Sequence, residues 1–232
     1  MTSHPPPDVG VVIVAAGRSR RTGGVDKLWA PLVDAAGRSR PLLAHAVAPF
    51  QACPAVDAIA IVAADEARAI TLAQDESWDK VRAVVPGGAR RQDSVRLGLE
   101  AVGPCTWVIV HDGARPLVTA DLIERGLQEA QETGAACCAL PVPDTIKEGD
   151  ETPRVVRTLD RSKLWLAQTP QTFRYDLLME AHRRAEGEAT DDAALVEALG
   201  VEVRLYSGSP RNLKVTTLED LELVQALLAR SP

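Results

Sequence analysis

Aromatic side chains are scarce in this chain, with four Trp, two Tyr and two Phe making up 3% of 232 residues. Surfaces that bind single-stranded nucleic acid stack bases on such rings, and the formal net charge of -6 repels a phosphate backbone. A nucleic-acid partner is therefore excluded. Cysteine is sparse as well: Cys53, Cys105, Cys137 and Cys138 show no Cys-x-x-Cys spacing, and the last two are adjacent, which suits neither a zinc site nor a disulfide framework. They read as small core hydrophobes in a reducing compartment. Long apolar runs are missing too. Val9 to Ala16 is far too short to span a bilayer and follows a Pro-rich tail with no basic leader, so a cytoplasmic, membrane-free location is expected.

What remains is ordinary for a globular protein: 46% hydrophobic and 25% charged residues, no internal repeat, and a length suited to one domain over 1–232. Four β-branched apolar runs, Val9 to Val14, Ala58 to Val62, Val81 to Val85 and Trp107 to Val110, have the character of strands buried on both faces. Between them lies helical periodicity. Pro41 can open a helix with Leu42, Leu43, Ala46 and Val47 on one side, and Gln92 to Ala101 and Asp121 to Glu132 read the same way. Such alternation requires crossover connections, hence an α/β fold with a mostly parallel sheet covered by helices, and ligands beyond the carboxyl ends of the strands. From about 141 to 172 the pattern breaks into Pro, Asp, Thr and Arg, which predicts an extended arm. Order returns with strands at Val201 to Tyr206 and Leu213 to Val215 and a closing helix over Leu218 to Leu228.

The segment directly after the first strand carries the clearest chemistry. In Ala15-Ala16-Gly17-Arg18-Ser19-Arg20-Arg21 the small residues let the backbone approach a nucleotide while N–H groups face phosphate oxygens. Lys27 follows six residues after Arg21, a spacing that can wrap both cations around a triphosphate. The segment is not the Gly-Lys-Ser/Thr phosphate loop, nor the Gly-x-Gly-x-x-Gly dinucleotide turn, so ATP hydrolysis and NAD binding lose ground. The bland alternative is a solvated basic loop between strand and helix.

Ala15-Ala16-Gly17 to Arg21 with Lys27 resembles the opening signature of sugar-phosphate nucleotidyltransferases. Later segments narrow the resemblance: Gly87-Gly88-Ala89-Arg90-Arg91-Gln92-Asp93-Ser94-Val95, His111-Asp112-Gly113-Ala114-Arg115-Pro116, Asp144-Thr145-Ile146-Lys147, Thr169-Pro170-Gln171, Thr190-Asp191-Asp192 and Asn212-Leu213-Lys214-Val215-Thr216. In this order they are similar to the 2-C-methyl-D-erythritol 4-phosphate cytidylyltransferase family. The resemblance implies a Rossmann-like, mostly parallel twisted sheet flanked by helices, with an extended β-arm used for dimerisation.

It also implies roles. Ala15, Ala16, Gly17, Gly88, Ala89 and Ser94 would recognise the cytosine nucleotide, the Ser94 hydroxyl meeting a base edge; a glycine turn with helix capping is the bland reading of that segment. Asp112, Arg115, Thr169, Thr190 and Lys214 would contact the methylerythritol phosphate, while Thr145 and Arg161 reach it from the partner subunit of a homodimer. Arg21 and Lys27 would be catalytic, stabilising charge at the α-phosphorus of CTP. Mg2+ is the expected cofactor, held mainly by triphosphate oxygens, with Asp112 as a candidate ligand. His111 is set aside as a general base, because an attacking phosphate is already deprotonated at neutral pH. Two departures stand out: Arg18-Ser19 replaces a common second glycine, leaving Arg20 and Arg21 in competition, and Gly113 stands where alanine is common. Counting from Ala15-Ala16-Gly17 selects Arg21. Competing readings are a ribitol 5-phosphate cytidylyltransferase, which shares nearly all these motifs, and a non-catalytic nucleotide-binding sensor.

Overall fold

The computed structural model describes residues 8–17 and 26–230. In chain order it contains β1 (Val9–Ala15), β2 (Pro31–Val33), β3 (Ser39–Pro41), α1 (Leu42–Ala52), β4 (Ala58–Ala63), α2 (Glu66–Asp75), β5 (Val81–Pro86), α3 (Arg91–Val102), β6 (Trp107–Asp112) and α4 (Ala120–Thr133). Then follow β7 (Ala135–Pro141), β8 (Lys147–Gly149), β9 (Val155–Thr158), β10 (Trp165–Arg174), α5 (Tyr175–Arg184), α6 (Asp192–Glu197), β11 (Arg204–Ser207) and α7 (Leu218–Leu228).

Seven strands form one sheet in the order β11-β7-β10-β6-β1-β4-β5. Neighbours are parallel except at β10, which runs antiparallel to both β6 and β7. The chain first builds outward from β1 through β4 to β5, then crosses back to place β6 on the other side of β1. That reversal makes the carboxyl ends of β1 and β6 the switch point, where open α/β sheets bind ligands. The mostly parallel sheet and flanking helices expected from the sequence are present.

Alternate residues of β1 point to opposite faces, as strand geometry dictates. Val9, Val11 and Ile13 join a core with α1, α4 and α7, through Leu43, Phe50, Ile123 and Val224. Val12 joins a second core with α3, α5 and α6, through Val95, Leu99, Leu178 and Val196. Cys53, Cys137 and Cys138 are buried as expected, and burial pushes the Cys137 thiol up to about 12, so it stays protonated. Among the described residues no helix is long and apolar enough to cross a membrane.

Two expectations are corrected. The arm is shorter than 141–172: it leaves the sheet after Pro141, forms the β8–β9 hairpin, and is back in the central sheet from Trp165. Polar residues in β10 masked its strand character. Leu213 to Val215 is not a strand but an irregular segment, fastened where Val215 N–H donates to Ala114 O at 2.8 Å. A short apolar run alone does not distinguish the two cases.

Gly98 marks how closely α3 sits on the sheet. A Cβ there would lie 2.3 Å from Val12 Cγ1 and 2.8 Å from Val62 Cγ2, both on stiff β-branched side chains. Gly98→Ala gains about 1 kcal/mol of helix propensity but overpacks the contact at about 1–3 kcal/mol. The expected outcome is a lower urea midpoint at an unchanged m-value, with a net loss of about 1 kcal/mol.

Candidate active site at the switch point

Val14 of β1 lies in register with Asp112 of β6, so the loops leaving these strands start side by side. The turn after β5 joins them. A Cβ on Gly87 would be 2.1 Å from that of Ala16, so only glycine permits this approach. Next to it, the Ser94 hydroxyl accepts a bond from Gly88 N–H at 3.0 Å and donates to Arg90 O at 3.2 Å. As it stands, Ser94 has spent its proton and keeps one lone pair, so it can accept a bond from a ligand but not give one. Ala16, Gly88 and Ser94 thus surround one place; Ala15 turns its side chain into the core near Gly113, and Gly17 and Ala89 are exposed nearby in the chain.

Asp112 is 7% exposed and faces three cations. Lys214 Nζ is 2.8 Å from Oδ2, Arg91 Nε is 3.4 Å from Oδ1, and Arg115 Nε is 3.9 Å from Oδ2. Burial alone would raise the Asp112 carboxyl, but Lys214, then Arg91 and Arg115, outweigh it and hold it well below the usual carboxylate range. It is ionised throughout the physiological range and is no general acid. Arg115 Nη1 donates to Asn212 O at 2.7 Å, which braces the segment carrying Lys214.

Behind Asp112 lies a closed hydrogen-bond network. His111, fully buried against Phe50 with ring centroids 4.9 Å apart, has Nε2 3.1 Å from Arg115 O and Nδ1 3.1 Å from Thr169 Oγ1. A carbonyl can only accept, so Nε2 carries the hydrogen and Nδ1 accepts from Thr169. Thr169 in turn accepts from Asp112 N–H at 3.0 Å. Burial lowers the His111 pKa to about 4, so the ring stays neutral. Thr169, expected beside the acceptor, is 4% exposed and uses its hydroxyl to hold Asp112 and His111.

Lys27 begins a single turn capped by Asp26, and its Nζ donates to Val215 O at 2.7 Å, beside Lys214. The exit of the first loop and the segment 212–216 therefore meet. Arg21, with Arg18 and Arg20, lies outside the described residues. Thr190 is exposed at the turn before α6, where Asp191 rather than Thr190 is the cap, accepting from Ala194 N–H at 2.9 Å. Thr145 and Arg161 are exposed on the arm, where Arg161 donates to Pro143 O.

Asp112 does not fit the metal role expected of it. Its oxygens already face Lys214, Arg91 and Arg115, and among the described residues no group of three His, Cys, Asp or Glu side chains could hold a metal ion. Several working residues were not singled out from the sequence. Arg91 bridges Asp112 and Asp192, Gln171 clamps α6 through Asp191 and Ala193, and Asn212 Nδ2 donates to Thr169 O at 2.8 Å. All lie inside the motif segments, and the paired Arg90-Arg91 and Asp191-Asp192 were the available signal.

The model of the family described as IspD: 2-C-methyl-D-erythritol 4-phosphate cytidylyltransferase matches residues 9–230. The 2-C-methyl-D-erythritol 4-phosphate cytidylyltransferase of Dehalococcoides mccartyi (strain CBDB1) is 46% identical over 224 residues, covering 96% of each chain. The crystal structure of the enzyme of that name from Thermus thermophilus is 35% identical, with a TM-score of 0.74 over 94% of this chain and 96% of that one. That of 4-diphosphocytidyl-2C-methyl-D-erythritol synthase from Anaerococcus prevotii DSM 20548 is 27% identical, with a TM-score of 0.80 over 96% of both. With its motifs in the family's order and its cationic site at the switch point, the chain belongs to the 2-C-methyl-D-erythritol 4-phosphate cytidylyltransferase family.

Proposed function

We propose that this protein transfers the cytidylyl group of CTP to 2-C-methyl-D-erythritol 4-phosphate, giving 4-diphosphocytidyl-2-C-methyl-D-erythritol and pyrophosphate in the non-mevalonate route to isoprenoid precursors. The observation that carries this reading is the excess of positive charge at the switch point. Lys27 reaches the backbone of Val215, the residue after Lys214, and these two lysines with Arg91 and Arg115 bring four positive charges to the carboxylates of Asp112 and Asp192.

The obstacle to the reaction is bringing two anions together. A phosphate oxygen of the acceptor attacks the α-phosphorus of CTP in line; the new P–O bond forms as the bond to the β-phosphate oxygen breaks, and its electron pair leaves on pyrophosphate. No side chain is a nucleophile and no proton is abstracted. Lys27, with Arg21 from the motif at 15–21, stabilises the charge that builds at the α-phosphorus. Lys214 is 41% exposed and has a donor to offer the acceptor phosphate, while Asp112 accepts from an acceptor hydroxyl. The remaining lone pair of Ser94 suits the amino group of cytosine. Magnesium would be held by the triphosphate oxygens and would supply further charge compensation there.

The arm supports a homodimer. Val155, Val156, Trp165 and Leu166 are 62%, 60%, 41% and 49% exposed on and at the root of the hairpin, apolar side chains on both of its faces that a second copy wrapping the arm would cover. Thr145 and Arg161 on the same arm would then complete the acceptor pocket of the partner.

Pyrophosphate release in magnesium buffer, with product mass, is expected for CTP with methylerythritol phosphate and not with ribitol phosphate. Preference for ribitol phosphate would replace the acceptor, and nucleotide binding without turnover would make the protein a sensor. Lys27→Ala is expected to lower kcat by roughly a hundredfold or more, read in the same assay. His111 supplies a pH signature. Its folded value of about 4 lies below the unfolded 6.5, so as pH falls the unfolded chain takes up the proton first and stability is lost between these limits. That loss is on the order of 3 kcal/mol. Urea midpoints at pH 7 and pH 4.5 should therefore fall more steeply in the native protein than in His111→Gln.

A further inference from the structure

We propose that Arg91 is a positioning residue that sets the span between the nucleotide loop and the acceptor side of the site. The inference rests on the functional reading above for its choice of substrates. Arg91 is the first residue of α3 and its guanidinium is shared: Nη1 lies 2.8 Å from Asp192 Oδ2, while Nε and Nη2 lie 3.4 and 3.5 Å from Asp112 Oδ1. Asp192 has no exposed surface. Its other oxygen sits 3.3 Å from His182 Nε2 without hydrogen-bond geometry, so the bond from Arg91 to Oδ2 is the side-chain hydrogen bond this buried carboxylate has among the described residues.

The neighbours of Arg91 extend the same grip. Gln92 donates to Gly187 O at 2.8 Å and accepts from Ala189 N–H at 3.0 Å. The turn holding Thr190 is thus fastened to α3 from both ends, at 187–189 and at 192. On its far side Gln171 of β10 binds Asp191 at 2.8 Å and Ala193 N–H at 3.1 Å. One helical turn later, Ser94 holds Gly88 of the nucleotide loop. The first turn of α3 therefore carries both substrate sides on one rigid piece, and Arg91 ties that piece to Asp112. In-line attack needs the two substrates held at one separation, and a planar fork that spans two carboxylates does what a point charge cannot.

The test uses the full chain with CTP and methylerythritol phosphate. Arg91→Lys keeps a charge for Asp192 but cannot reach both carboxylates, and is expected to raise the acceptor KM by about tenfold while the CTP KM moves by less than about twofold. Arg91→Met should also lose thermal stability. The double variant Arg91→Met/Asp192→Asn, which removes the orphaned charge, should recover Tm but keep the raised acceptor KM. Recovery of the acceptor KM in the double variant, or a native acceptor KM in Arg91→Lys, would overturn the inference and leave Arg91 as a neutraliser of Asp192. Hydrogen exchange at the 187–192 amides decides it independently of turnover: faster exchange in Arg91→Lys is expected, and native rates would overturn it. A native enzyme silent with every acceptor would instead strike the functional reading.

Discussion

Everything at the switch point is arranged around one buried carboxylate. Asp112 ends the strand next to β1, and leaving a charge there is costly unless it is paired and hydrogen-bonded. Three cations from three parts of the chain answer it: Arg91 from α3, Arg115 from the turn after β6, and Lys214 from the segment before α7. These pairings assemble the site as well as neutralise Asp112. Once they are met, Lys214 is delivered to the sheet edge, Arg115 pins Asn212, and α3 is fixed relative to β6. The surplus positive charge that remains is what two anionic substrates need.

The proton inventory of this region is fixed. Asp112 stays ionised, His111 stays neutral, and Thr169 orients its hydroxyl between them. Such a framework suits a reaction whose difficulty is charge compensation rather than proton transfer. His111, at a strand end beside the chemistry, has the position of a base and the surroundings of a structural residue.

The sequence disclosed the parts of the fold that are β-branched or strictly periodic. The runs at β1, β4, β5 and β6 and the helices α1, α3, α4 and α7 match their expected places to within about two residues. β7 escaped notice because Ala135-Ala136-Cys137-Cys138-Ala139 has little of the β-branched character that marks a strand. β10 escaped because Gln168, Thr169, Gln171 and Thr172 are buried polar residues, three of them satisfied by the site's own hydrogen bonds, which breaks any hydrophobic pattern. At the site, glycines and small residues after strands were legible from local physics. The meeting of Asp112 with Lys214, or Arg91 with Asp192, was not, since partners about a hundred residues apart leave no mark in spacing.

β10 joins the arm to the site. Its first residues, Trp165 and Leu166, form the exposed root of the arm, and Thr169 follows four residues after Trp165 along the same strand, roughly 13 Å of extended chain. Trp165 to Ala167 pair with β7, and Gln171 to Phe173 pair with both β7 and β6, on either side of an irregularity that contains Thr169. Within that irregularity the Thr169 hydroxyl reaches His111 and the backbone of Asp112, so the strand that begins at the arm's root also carries the site's hydrogen-bond framework. Whatever seats itself on the root of the arm therefore sits four residues along the same strand from the framework that holds Asp112.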